Sequence, residues 1–145
     1  MTARSEVRRS ITLLLASLAI APSAALFISL LTGSLRQQRL TLEWPQLIDG
    51  GDSIVLELLL TTAPGALLVL LASDWLRRGA LRVGAFIGGA LLACMLAAGL
   101  FAQAFGNTWS ISEILAELVV AQLHLIALAL LPGTLLIALL QRGEG

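Results

Sequence analysis

The amino-acid sequence predicts an all-α membrane protein of four transmembrane helices, and three observations carry that expectation. Apolar residues make up 58% of the chain and charged residues only 12%, against a charged share of about a quarter in soluble domains. A soluble chain of 145 residues leaves too much surface in water to hide that apolar content, so lipid is its natural solvent. The apolar residues gather in four stretches, at 10–32, 53–73, 83–105 and 111–141, each close to or above the roughly 20 residues that span a bilayer. The segments between them carry turn, capping and interfacial residues. Residues 1–145 therefore read as a single four-helix transmembrane domain, with 33–52 as an outer loop.

The first helix follows a polar start containing Arg4, Arg8 and Arg9. A basic start, an apolar run and the small residues Ala21-Pro22-Ser23-Ala24 also fit a secretory signal. The run continues well past that point, and its length suits an uncleaved span. Pro22, near the middle, removes one backbone hydrogen bond and predicts a kink. In the loop, Leu40-Thr41-Leu42-Glu43-Trp44 alternates like a short strand or an extended interfacial segment. Trp44 suits headgroup depth. Asp52 and Ser53 are positioned to cap the second helix.

The second helix carries Glu57 one turn inside its start and Pro64-Gly65, read as a break, near its centre. Trp75, Arg77 and Arg78 close it, since cations suit a helix C-terminus. The third helix is rich in small residues. Ala85, Gly89, Ala93 and Ala97 recur every fourth position, and Gly84 and Gly88 form a GxxxG beside them. A ridge of small side chains lets another helix approach closely in lipid. Gln103 lies near its far end. The fourth helix begins with a capping box, Ser110-x-x-Glu113, flanked by Trp109 and Ile114. It is roughly 45 Å long at 1.5 Å per residue, more than the hydrocarbon thickness of about 30 Å, so it should tilt or project. It contains Glu117, Gln122, His124 and a second Pro-Gly pair, Pro132-Gly133.

With four spans, Arg4, Arg8, Arg9, Arg77, Arg78, Arg82 and Arg142 fall on one side and only Arg36 and Arg39 on the other. The positive-inside rule then places both termini in the cytoplasm. The compact chain, with no targeting segment other than helix one, suggests a bacterial inner membrane. Residues 63–71 resemble residues 131–139 around their Pro-Gly pairs, which fits a parallel repeat of two two-helix halves.

Intramembrane ionisable groups are costly and are functional hypotheses by default. The candidates are Glu57, Glu117 and His124, with Gln103 and Gln122 as polar neighbours. His124 is at i+7 from Glu117 and shares its helix face. One reading is an acidic outer vestibule narrowing to a midplane histidine that passes a proton or guides a cation. The plainer reading is structural: Glu113 belongs to the cap, Glu57 and Glu117 lie near water, and Gln122 and His124 hydrogen-bond between helices. No metal site is expected, because the i, i+7 spacing cannot close one and no denser ligand cluster exists. Cys94 stands alone in an apolar run, which reads as packing. No cofactor or catalytic motif is recognisable. A formal net charge of zero argues against a nucleic-acid partner. The expectation is a non-enzymatic accessory or structural subunit that packs in a membrane complex or homo-oligomer, with lipid and a membrane-protein partner or itself as its contacts. The alternative is a small cation- or proton-coupled transporter or channel.

Overall fold

A computed structural model describes residues 3–45, 54–72, 79–104 and 108–142. Helix accounts for 89% of them and no strand occurs among them. Three helices are long and apolar enough to cross a membrane: Ala3–Gln37, Gly79–Ala104 and Leu123–Arg142. The remaining long helix, Ile54–Leu71, is apolar but has 18 residues. The capping role expected of Asp52 and Ser53, and the closing Trp75, Arg77 and Arg78, lie outside the described residues.

Helix α1 (Ala3–Gln37) is 35 residues long, so it overruns the expected 10–32 at both ends. Arg4, Glu6, Arg8 and Arg9 are straight-chain helix formers, and no breaker separates them from the apolar run. The helix continues through Pro22. It ends where Gln38 adopts φ 54°, the left-handed position that closes many helices and is usually glycine. The Gln38 amide donates to the Leu35 carbonyl at 3.2 Å.

The chain then reverses, and residues 41–45 run along the last turns of α1 without regular structure. The Glu43 N–H donates to the Ser29 carbonyl at 3.2 Å, and the Ser29 hydroxyl donates to the Glu43 carbonyl. Gln37 donates to the Glu43 carboxylate at 2.8 Å, and Arg36 pairs with it at 3.4 Å. The expected alternation is present, with its polar side inward. Thr41 and Glu43 lie against the helix, while Leu40, Leu42 and Trp44 are 62%, 63% and 77% exposed. Gly33 makes this possible, because a Cβ there would overlap the Thr41 carbonyl.

Helix α2 (Ile54–Leu71) and helix α3 (Gly79–Ala104) form the most extensive helix pair. The first is α-helical from Ile54 to Leu71 within the described part of the expected 53–73. The second starts four residues before the expected 83, so Arg82 sits in its first turn and is buried at 7% exposure. Pro64-Gly65 does not break α2. Instead Gly65 meets Gly89, and a Cβ on Gly65 would overlap the Gly89 carbonyl. Pro132-Gly133 likewise lies within a continuous helix. A Cβ on Gly133 would lie 2.5 Å from Phe86 Cζ. Both Pro-Gly pairs thus mark close approaches to α3, because the missing side chain, and not the helix-breaking tendency, is what the packing uses.

The last helical stretch has three parts: a single turn α4 (Ile111–Glu113), a π-helical segment (Ile114–Val120) and helix α5 (Leu123–Arg142). The expected uniform helix over 111–141 is therefore interrupted. The Ala121 N–H reaches back five residues to the Ala116 carbonyl at 2.9 Å, which defines the wider π turn. The capping box is formed as expected. The Glu113 N–H donates to Ser110 Oγ at 3.3 Å, and the Ser110 N–H donates to Glu113 Oε2 at 2.7 Å.

Helices α1 and α3 pack against each other and separate α2 from α5; α2 packs on both, and α5 packs on α1 and, less, on α3. The core between them holds Ile20, Phe27, Ile28, Leu31, Phe86, Ala93, Ala97 and Ile126, all at most 2% exposed.

Candidate functional site

Glu57 lies in the first turn of α2 and is half-buried. Glu117 lies in the π segment and His124 at the start of α5, and both are exposed. Gln122, between them, is half-buried, and Gln103 near the end of α3 is exposed. Because α1 and α3 stand between α2 and the last helix, Glu57 is held on the opposite side of the bundle from Glu117 and His124. Among the described residues no group of three or more His, Cys, Asp or Glu side chains could hold a metal ion. Cys94 is fully buried.

The small residues of α3 divide into two faces. Gly89, Ala93 and Ala97 are buried and Ala85 is half-buried. A Cβ on Gly89 would lie 2.8 Å from the Gly65 carbonyl and 3.1 Å from Ile20 Cδ1. Gly84 and Gly88 precede this ridge by one residue, a rotation of about 100°. They are exposed, and a Cβ on either would meet nothing within 4 Å. Gly99, further along, is equally open. The GxxxG thus faces outward while the neighbouring ridge holds the bundle together.

At the loop end, the Glu113 carboxyl is held below its ordinary value, first by the hydrogen bond from the Ser110 backbone and then by that from its side chain. A lowered folded-state value means that this contribution is complete above the ordinary carboxylate range and is lost as pH falls through the folded value. Ser110→Ala is expected to cost about 1 kcal/mol, the usual worth of an N-cap, and to weaken that acid dependence. Thermal melts of both proteins in detergent across the acid range check this.

Among the cavities along the described residues, two border the helices of the last stretch. One, of about 370 Å³, is an apolar groove between α1 and α5 bordered by Pro22 and Pro132. The other, of about 390 Å³, lies at the loop end and is lined by Thr32, Leu35, Arg36, Phe101, Ala102, Trp109 and Leu118. The apolar pattern carries no signal for either, since both depend on how far apart the helices stand. No protein-family model matches the chain, nor does any curated protein or solved structure.

Proposed function

We propose that the chain is a small polytopic protein of a bacterial inner membrane, with four helices crossing the bilayer and both termini in the cytoplasm. Its role in this reading is non-enzymatic: it packs as an accessory or structural subunit against a second copy or a membrane-protein partner. Helix α2, at about 27 Å by its 1.5 Å rise, crosses by local thinning of the bilayer. The arginine asymmetry supports the orientation. The parallel repeat has support in the packing. Exchanging the two halves maps the α2–α3 pair onto the α5–α1 pair and leaves the α1–α3 pair in place.

The observation that carries the subunit reading is the open glycine face of α3. Gly84 and Gly88 face away from the bundle with nothing near their Cβ positions, and such a surface admits the backbone of another helix. Glu117 and His124 add to it. They lie on the exposed side of an apolar helix, and intramembrane ionisable groups ordinarily face protein or water rather than lipid. A partner on that side would cover them.

The test is the double variant Gly84→Leu, Gly88→Leu. In mild detergent or nanodiscs the wild type should run larger than its 15.2 kDa or bring a membrane partner through purification. The variant should run as a lone monomer with unchanged helix content. An assembly profile identical to the wild type would sink the reading.

A further inference from the structure

The cleft at the loop end has a built floor and rim. Thr32, Phe101, Ala102 and Leu118 form a floor of side chains at most 4% exposed. Leu35, Arg36 and Trp109 stand exposed around it. Its existence follows from the helix packing. Helix α5 packs closely along α1, whereas the π segment leans on α3 and makes no comparable contact with α1. The space between the π segment and the last turns of α1 is left open. A π turn carries an extra residue and commonly sits at functional sites.

The rim carries one charged side chain, Arg36, with an acid beside it. Arg36 offers a guanidinium, and Glu43, hydrogen-bonded to Gln37, places a carboxylate 3.4 Å from it. Trp109 adds an aromatic ring of the kind that marks headgroup depth. Among the described residues at this end, Glu43, Glu57, Glu113 and Glu117 outnumber Arg36 and Arg39. A wholly anionic headgroup would meet that excess of acid, while a group carrying both a phosphate and an ammonium would be matched at both charges. The apolar floor suits part of an acyl chain.

We propose that this cleft binds a phospholipid of the surrounding membrane with a zwitterionic primary-amine headgroup, its phosphate on Arg36, its ammonium on Glu43 and an acyl chain against Phe101 and Leu118. The inference rests on the membrane reading above, and its test separates the two.

The protein, carrying Trp44→Phe and Trp75→Phe so that Trp109 is the sole fluorophore, is reconstituted in phosphatidylcholine vesicles. A minor fraction of the lipid is then replaced by brominated-chain phosphatidylethanolamine, phosphatidylglycerol or phosphatidylcholine. The ethanolamine lipid should quench Trp109 with about tenfold preference over the other two, the scale of one charge-assisted hydrogen bond. Arg36→Gln and Glu43→Gln should each remove the preference, and Ala102→Leu, which fills the floor, should remove quenching above the bulk level. Equal quenching by the three lipids in protein that stays in the vesicles overturns the lipid site and leaves the membrane reading standing. Stronger quenching by phosphatidylglycerol, or by brominated stearate alone, overturns the headgroup assignment. Protein that fails to remain in the vesicles after alkaline washing overturns both.

Discussion

Gly65→Ala and Gly89→Ala are expected to pull α2 and α3 apart, each costing about 3 kcal/mol, the upper part of the usual range for overpacking a tight site. The magnitude follows from what the added methyl group meets. At Gly65 it meets the Gly89 carbonyl, and at Gly89 it meets the Gly65 carbonyl at 2.8 Å. Both are backbone atoms inside helices. They cannot rotate aside, so the helix axes must separate and the packing beside the crossing is lost. Gly84→Ala and Gly88→Ala add the same methyl group to the same helix where nothing lies within 4 Å. In the isolated chain they should stabilise by up to about 1 kcal/mol, the usual gain of alanine over glycine inside a helix. Denaturation in mixed micelles, followed by helix content, measures all four. Combining Gly65→Ala with Gly89→Ala should cost less than the sum, because the first substitution already opens the crossing the second would strain. Four equal effects would show that α3 is packed by another face.

The second large effect is expected at Gly33. A Cβ there would overlap the Thr41 carbonyl, so Gly33→Ala should lift residues 41–45 from α1. The reciprocal bonds between Ser29 and Glu43 would then be lost. At about 1 kcal/mol net for each of two hydrogen bonds, the detached state becomes roughly thirtyfold more populated. Trypsin cleavage after Arg39 reads that population directly and should accelerate to match, while helix content stays constant. The Arg36–Glu43 pair should contribute little, since it is exposed and long. Glu43→Gln should therefore leave the cleavage rate near the wild-type value. An unchanged rate in Gly33→Ala would mean that the segment is held by something other than its seat on the helix.

Several features of this chain were open to inspection in one dimension. The four helical regions show in the apolar runs, because a helix is the local way to satisfy every backbone group where water is absent. The capping box shows because its donors and acceptors lie three residues apart. The extended character of Leu40 to Trp44 shows in its alternation. Other features show wrongly for a definable reason. Pro64-Gly65 and Pro132-Gly133 read as breaks, since proline removes a hydrogen bond. Their glycines turn out to serve Gly89 and Phe86, partners that lie outside any sequence window. Hydropathy places the ends of the first helix at 10 and 32, inside the observed Ala3–Gln37, because it marks where apolar residues stop while helical hydrogen bonding continues into the polar flanks.

The sequence by itself determined where the helical regions lie and where the last of them is capped; it reads four spans, and three of the helices in the structure are long and apolar enough to cross a membrane. Only the tertiary structure decided which face of each helix turns inward: Gly89 and not Gly88, Leu118 and not Glu117, Leu125 and not His124. In water a polar face and an apolar face announce the answer in advance. In lipid the solvent is as apolar as leucine, so both faces of α3 read alike and the choice rests on backbone approach between helices. The π segment escaped for a related reason. Its residues are apolar on nearly every side of Glu117 and carry no local mark of the wider turn, which is rare.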